Sequence, residues 1–188
     1  RTPLNAILGF GQLLALEPLT EDQRDATNHI LKAGRHLLEL INEVLDISRI
    51  EAGHLRLSPE PVQVDEALHE AQDLVRPLAQ ERGVILREEP HPPGLYVLAD
   101  RQRLKQVLLN LLTNAVKYNR EHGTVTIACT PQEQDRLRIT VSDTGPGIEP
   151  DRLSRLFVPF DRLGAEQSSV EGTGLGLAIC ERLVRLMG

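Results

Sequence analysis

Apolar residues recur at helical spacing over the first fifty residues of this chain. The pattern predicts helices over residues 2–16 and 20–53, separated by the break Glu17-Pro18-Leu19. Thr20 and Gln23 stand at the positions of a capping box at the start of the second helix. The first part of the chain is therefore predicted to be a helical hairpin.

The second predicted helix carries an apolar stripe that is wider than a two-stranded seam needs. Ile30, Leu37 and Val44 recur every seven positions. Beside them lie Leu31, Leu38, Ile41 and Leu45. Because a short hairpin cannot bury so broad a face alone, the pattern favours a homodimeric four-helix bundle built from residues 2–16 and 20–53 of two copies. The alternative is a hairpin that packs on the rest of its own chain.

Residues 48–64 contain Gly53, Pro59 and Pro61 and predict a linker, which places a domain boundary near residue 55. A helix is predicted from an N-cap at Asp65 to Arg82, with a kink at Pro77. The other predicted elements are strands 84–88 and 96–99, helix 101–119, a strand hairpin 124–130 and 136–143, and helix 174–187. Helices with antiparallel strands predict an α/β two-layer sandwich over residues 56–188, following a hairpin domain over residues 1–55.

Charge and cysteine content limit the environment of the chain. A net charge of -6 and a pI near 5.5 argue against a nucleic-acid or anionic-membrane surface. Cys129 and Cys180 lack the spacing of a metal site and predict two buried free thiols in a reducing compartment. With no membrane span or signal peptide in the sequence, we expect a cytoplasmic module without direct membrane contact, whose parent protein can still carry a membrane sensor.

Candidate chemistry lies in the second half of the chain. Asn110, Asn114 and Lys117 fall at i, i+4 and i+7, so one helical face offers amide oxygens and an ammonium group to a metal ion and phosphates. Asp143 ends an apolar row of alternating strand residues and can accept a hydrogen bond from a ligand such as an adenine amino group. The alternative is that Asp143 caps the turn at residues 145–147.

Glycines at 172, 174 and 176 precede or open the last predicted helix, where backbone N–H groups can bind phosphates. The segment is neither a P-loop, since no GK[ST] follows, nor a dinucleotide fingerprint, since Leu177 occupies the third glycine position. A flexible loop is the alternative interpretation.

Taken in order, these motifs resemble the kinase core of bacterial sensor histidine kinases, a group within the Bergerat-fold ATPases. The resemblance covers nearly the whole chain and is carried by six segments: Arg1 to Leu4 (the tail of the H box), residues 46–53 (the exit from the dimerisation hairpin), residues 110–119 (N box), 143–148 (G1 box), 157–160 (F box) and 172–177 (G2 box). It implies that the chain is a piece of such a kinase, truncated at both ends.

The resemblance implies an ATP site with Mg²⁺ as cofactor. Asn114 would bind Mg²⁺ with help from Asn110, Asp143 would recognise adenine, and Arg162 would reach the γ-phosphate, with an idle surface arginine as the alternative. The nucleotide-binding residues implied are Asn110, Asn114, Lys117, Tyr118, Asp143, Gly145, Gly147, Ile148, Phe157, Phe160, Arg162, Gly172, Thr173, Gly174, Leu175, Gly176 and Leu177. Residues 161–171 form a polar segment rich in small residues, which predicts a mobile lid over the nucleotide.

In the family, the phosphoacceptor histidine stands three residues before the position of Arg1 and is followed by an acidic general base. Both lie outside this sequence, and we expect its six histidines to be solvated or structural. Arg1, Thr2 and Asn110 are the catalytic positions that the resemblance implies here. Thr2 matches a residue that orients water during dephosphorylation of the response regulator, with a bare helix N-cap as the alternative.

The expected function is that of an ATP-dependent protein-histidine kinase (EC 2.7.13.3 type), which phosphorylates its own histidine and passes the phosphoryl group to an aspartate of a response-regulator receiver domain in two-component signalling. The chain as given is not expected to phosphorylate itself. Two alternatives are a hydrolytic Bergerat-fold ATPase, disfavoured because Asn110 replaces a water-activating Glu of the related ATPases, and a nucleotide-binding dimeric scaffold without kinase activity.

Overall fold

The computed structural model describes residues 2–164 and 172–188 and divides the chain into two compact units, residues 1–55 (unit 1) and 56–188 (unit 2). Arg1 and residues 165–171 of the predicted lid lie outside the described residues. The elements in chain order are α1 (Thr2–Leu14), α2 (Glu21–Glu51), β1 (Glu60–Gln63), α3 (Val64–Glu81), β2 (Ile85–Glu88), β3 (Tyr96–Ala99), α4 (Arg101–Lys117), β4 (Thr124–Gln132), β5 (Arg136–Asp143), a 3₁₀ helix (Pro150–Arg155) and α5 (Gly176–Met187).

Unit 1 is the predicted helical hairpin of α1 and α2. The capping box is confirmed, since Gln23 N donates to Thr20 Oγ1 at 3.3 Å and Thr20 N donates to Gln23 Oε1 at 3.0 Å. Glycines let the two helices approach closely, because a Cβ at Gly34 would lie 2.8 Å from Leu8 Cδ2. The faces of α1 and α2 that meet inside the hairpin are therefore tightly packed.

The apolar stripe of α2 divides between two faces of unit 1. Leu31 is buried against α1, whereas Ile30, Leu37 and Val44 remain 51%, 49% and 41% exposed. Exposed apolar residues of α1 add to this uncovered surface: Ile7, Phe10, Leu13 and Leu14. Within the described residues, the seven-residue repeat of α2, formed by Ile30, Leu37 and Val44, therefore remains exposed.

Unit 2 contains two sheets. In the larger one, β4 lies between β2, which is parallel to it, and β5, which is antiparallel. The smaller one pairs β1 with β3 in antiparallel register. Two expectations were wrong here: the predicted linker contains a strand, β1, and the larger sheet is mixed rather than antiparallel.

Helices α3 and α4 cover the larger sheet, and α5 packs on α4. The core is aliphatic, and its largest fully buried side chains are Val62, Val64, Leu68, Leu108, Leu112, Val116, Val125, Ile127, Leu175, Ile179 and Leu183. The predicted N-cap at Asp65 was wrong, because α3 begins at Val64 with Gln63 as its N-cap and Asp65 lies in the first turn. Pro77 does lie inside this helix.

Both cysteines are free and buried, as predicted. Burial in the sheet, assisted by the nearby carboxylates of Glu88 and Asp65, raises the pKa of Cys129 to about 11, so this thiol stays protonated at neutral pH. Within residues 2–164 and 172–188, no helix is both long enough and apolar enough to cross a bilayer.

Candidate functional site

Asn110 and Asn114 project from one face of α4. The helix is capped by Asp100, whose Oδ1 accepts a hydrogen bond from Arg103 N at 3.0 Å, and its opposite face is buried in the core. Asn114 Nδ2 donates to Asn110 Oδ1 at 2.9 Å. The amide oxygen of Asn114 consequently lies outside this bond, where it can accept a donor or bind a cation.

The C-terminal end of the N box is joined to the G1 box by a network of hydrogen bonds. Asn119 Oδ1 accepts from Thr144 Oγ1 at 3.1 Å, and Asn119 Nδ2 donates to the carbonyl of Thr124 at 3.2 Å. Thr124 N donates in turn to Thr144 Oγ1 at 2.9 Å. Neither Asn119 nor Thr144 was predicted to have a role of its own. The only sequence signal for such a role is that each side chain can form a hydrogen bond with the backbone of a nearby turn.

Asp143 is the last residue of β5, opposite Val125 of β4, and it is exposed. Its Oδ1 accepts a hydrogen bond from Gly145 N at 2.8 Å, so the carboxylate does cap the turn that follows. A Cβ at Gly145 would lie 2.5 Å from the carbonyl oxygen of Tyr118 and 2.8 Å from Asp143 Oδ1. The G1 backbone therefore passes directly over the end of α4, where only glycine fits.

The glycines of the G2 box contact both the N box and the F box. A Cβ at Gly176, the first residue of α5, would collide with the side-chain amide of Asn110, and one at Gly172 would lie 3.3 Å from the hydroxyl of Tyr118. Gly174 has a φ of +73°, and its carbonyl accepts a hydrogen bond from Phe160 N at 3.0 Å. Leu175, which lies between Gly174 and Gly176, is fully buried and anchors this glycine-rich segment.

The F box continues into a segment that is tied to the 3₁₀ helix. Phe157 and Phe160 are largely exposed, and Phe160 has a left-handed φ of +67°. Asp161 accepts hydrogen bonds from Leu163 N at 2.9 Å and Arg155 Nε at 2.6 Å. The Leu163 amide first, and then Arg155, hold the pKa of Asp161 below its usual range, so the tie is ionic at neutral pH.

The other predicted site residues of unit 2 lie in or beside these segments. Lys117 ends α4, Ile148 is partly exposed, Gly147 has a φ of +75°, and Thr173 Oγ1 accepts a hydrogen bond from Leu175 N at 3.1 Å. Arg162 is half-buried after the F box, and Leu177 is half-buried in the first turn of α5. Thr2, in contrast, is exposed at the start of α1 in unit 1.

The arrangement thus combines amide oxygens, a carboxylate, glycines without room for side chains and the N-terminus of a helix. Such a helix start offers unpaired N–H groups and a positive dipole end, which suit phosphate. The exposed carboxylate of Asp143 suits a ligand that carries a hydrogen-bond donor. The chemistry of these groups therefore matches that of a phosphorylated molecule with a polar base.

Two family models match the chain. Residues 1–53 match the His Kinase A (phospho-acceptor) domain, and residues 99–188 match the histidine kinase-, DNA gyrase B-, and HSP90-like ATPase family. The order of the two matches is the order of unit 1 and unit 2 along the chain.

Similar proteins include histidine kinases of bacteria. The histidine protein kinase DivJ of Caulobacter vibrioides is 40% identical over 100% of this chain and 32% of its own length. The cell-division control histidine kinase PdhS of Brucella suis is 36% identical over 98% of this chain and 19% of its own length. The chain therefore spans less than two fifths of the length of each of these curated relatives.

Solved structures agree with this likeness. Full-length ShkA in complex with AMPPNP is 39% identical and has a TM-score of 0.80, over 98% of this chain and 38% of that one. ThkA in complex with the response regulator protein TrrA is 26% identical, with a TM-score of 0.65 over 96% of this chain and 49% of that one. Both the helical hairpin and the α/β unit are thus found together in solved relatives.

Proposed function

We propose that this chain, which belongs to the histidine kinases, carries out a phosphotransfer reaction. Unit 2 binds Mg·ATP and delivers the γ-phosphoryl group to a histidine. From that histidine the group passes to an aspartate of a response-regulator receiver domain. The observation that carries the proposal is the convergence of the N, G1, F and G2 boxes within unit 2. Segments that lie far apart in sequence are joined by direct contacts, namely Gly145 with Tyr118, Gly176 with Asn110, and Gly174 with Phe160.

The donor groups of the site fit Mg·ATP. Asp143 accepts the adenine amino group, the glycines at 172, 174 and 176 let the backbone approach the phosphates, and Asn114 offers its amide oxygen to Mg²⁺. Neutral amide oxygens bind Mg²⁺ weakly, so phosphate oxygens and water complete such a site. When bound, the cation neutralises charge on the phosphates, and the side chains of this chain position the nucleotide for in-line transfer. The AMPPNP complex of the relative ShkA supports a nucleotide at this fold.

Unit 1 supplies the dimer and the docking surface for the partner. The exposed row of Ile30, Leu37 and Val44 can pair with the same row of a second copy in a four-helix bundle. The complex of ThkA with TrrA supports a response regulator as the partner. The family resemblance places the phosphoacceptor histidine upstream of Arg1, so residues 1–188 taken alone should bind nucleotide without becoming labelled.

Radiolabelled ATP tests this proposal. The present chain should bind Mg·ATP but remain unlabelled, and a version extended with its native upstream residues should acquire acid-labile, base-stable label, as expected of a phosphoramidate. In the extended version, Asn114→Ala should abolish labelling because it removes the amide oxygen proposed to bind Mg²⁺. Gln80→Ala, which removes an exposed amide from α3, should not. Acid-stable label, or robust acid-labile label on the present chain, would contradict the proposed acceptor.

The main alternative is ATP hydrolysis without transfer to protein. Asn110 disfavours it, because an amide cannot act as the general base that a carboxylate provides at the matching position of related ATPases. A nucleotide-binding scaffold would bind ATP and dimerise while showing no label in the extended version. Phosphate released in the same incubation then separates the two unlabelled cases, since a hydrolase releases it and a scaffold does not.

A further inference from the structure

A cluster of three ligand-bearing side chains lies at the C-terminal end of β2, outside the boxes described above. Glu88 is the last residue of β2, His91 follows in the loop, and Asp65 lies in the first turn of α3. One nitrogen or oxygen atom from each lies within 4.8 Å of the other two. The side chain of His91 is only 8% exposed, so its ring is held inside the cluster.

The hydrogen bonds of His91 fix which ring nitrogen carries a proton. Nδ1 lies 3.1 Å from the carbonyl oxygen of Pro92, which can only accept, so Nδ1 must carry the hydrogen. Nε2 then faces two carboxylates, at 3.1 Å from Glu88 Oε1 and 3.4 Å from Asp65 Oδ1. A neutral ring would direct a lone pair at two anions, so a positive species has to lie at Nε2.

The spacing of these atoms matches the coordination of a small divalent cation. Zn–N and Zn–O bonds of about 2.0–2.1 Å at tetrahedral angles separate neighbouring ligand atoms by about 3.3 Å. The two distances from Nε2 lie on either side of that value. Asp65 Oδ1 is also inaccessible to solvent and accepts no hydrogen bond from the described residues, which leaves a buried oxygen in need of a positive partner.

A second layer of contacts orients the ligands. Gln72, which is buried on α3, donates from Nε2 to Glu88 Oε2 at 2.6 Å and so leaves Oε1 directed at His91. The Pro92 carbonyl does the same for the ring of His91. Outer contacts of this kind are typical around metal-binding histidines and carboxylates.

We propose that Asp65, Glu88 and His91 form a binding site for a divalent transition-metal cation of the Zn²⁺ type. The site joins the start of α3 to the end of β2 and acts as a structural clasp. It is separate from the nucleotide region, because Ile85, at the start of β2, pairs with Thr124 beside the N and G1 boxes, whereas Glu88 pairs with Ile127 further along the sheet. One nitrogen and two carboxylate oxygens leave a fourth position for water.

A proton is the competitor for the same position. The hydrogen bond to Pro92, followed by that to Glu88, raises the pKa of His91, with Asp65 adding to the effect. Metal affinity should therefore fall as the pH decreases through the titration of His91.

Calorimetric titration of the whole chain with ZnCl₂ at pH 7.5, without nucleotide, tests the site. We expect one equivalent of Zn²⁺ to bind, with an affinity at least tenfold weaker in His91→Gln and in Asp65→Asn. His29→Gln is the matched control, since His29 and Asp25 form an exposed pair at 3.5 Å on α2. This control should leave the site unchanged, and Zn²⁺ should raise the melting temperature of wild type but not of the two site variants.

The outcomes are decisive in either direction. Loss of binding in both site variants with retention in the control supports the site, and a weaker affinity at pH 5.5 supports His91 as a ligand. If wild type fails to bind Zn²⁺, or both site variants bind as tightly as wild type, the proposal is wrong and the cluster holds only a proton. Should His91→Gln fail to fold by circular dichroism, Asp65→Asn, which keeps the shape of a partly exposed side chain, gives the same decision.

Discussion

Gly176→Ala tests whether the start of α5 and the N box form one site. In a helix, alanine is ordinarily more favourable than glycine by about 1 kcal/mol, and less at a terminal position. Here the added Cβ would lie 2.7 Å from Asn110 Oδ1 and 2.8 Å from Asn110 Cγ, and closer still to Nδ2. The side chain of Asn110 must therefore rotate away from α5.

That rotation breaks the hydrogen bond of 2.9 Å between Asn110 and Asn114, which is worth about 0.5 to 1.5 kcal/mol. The loss and the gain in helix propensity nearly cancel, so global stability should change little. Nucleotide affinity should change much more, because both amides are displaced from their places in the proposed nucleotide site. We expect ATP binding to weaken at least tenfold, equivalent to about 1.4 kcal/mol.

Calorimetry with a non-hydrolysable ATP analogue and Mg²⁺ measures the affinity, and urea unfolding measures the stability. Gly9→Ala is the matched control, because a Cβ at Gly9 of α1 would meet no described atom within 4 Å. The control should gain stability and bind the analogue normally. If Gly176→Ala also binds normally, the contact between Gly176 and Asn110 contributes nothing to nucleotide binding and the proposed geometry is wrong.

Three further changes test other parts of the molecule. Asp143→Asn should weaken ATP about ten- to a hundredfold, since a charged hydrogen bond is worth about 1.5 to 3 kcal/mol, and unchanged affinity in calorimetry would remove Asp143 from the site. Leu37→Glu puts a charge in the exposed apolar row of α2 and should give monomers in light scattering, whereas a monomeric wild type at tens of micromolar would contradict the bundle. Asp100→Ala removes acceptors for Ser58 N and Arg103 N, both at 3.0 Å, and should lower the free energy of unfolding at pH 7 by about 1 to 2 kcal/mol. These bonds, with that from Ser58 the largest contribution, hold the pKa of Asp100 below its usual range. The difference in stability from wild type should therefore persist above about pH 4 and vanish as the pH falls through the lowered pKa. Equal urea stabilities of the two proteins at pH 7 would contradict this role.

Local signals in the sequence predicted much of the fold. The capping box at Thr20 and the strand Tyr96–Ala99 are found where the pattern placed them, because both depend on residues close together in the chain. Strand β1 was missed because Pro61 argues against a strand, although an edge strand of four residues tolerates it. The parallel pairing of β2 with β4 was also missed, since neither strand carries a local sign of its partner.

The site was predictable as a set of motifs but not as a set of contacts. The spacing of Asn110 and Asn114 on a helix predicted their shared face, and their mutual hydrogen bond follows from that spacing. The link from Asn119 to Thr144 spans 25 positions and depends on how β5 returns to the end of α4. His91 was expected to be solvated or structural. Glu88 lies only three positions before it, but Asp65 comes from a separate stretch of chain that only the fold brings close.

Asp143 shows how the two interpretations of a polar residue can both hold. The turn-cap interpretation is seen directly, in the bond from Gly145 N to Oδ1. A carboxylate has two oxygens, however, and a bond to one fixes the direction of the other. Since Gly145 is itself fixed by its close approach to Tyr118, the end of α4 determines where the carboxylate of Asp143 points. A side chain oriented in this way loses little further freedom when a ligand binds, so capping the turn would favour the proposed hydrogen bond from adenine to Asp143 rather than compete with it.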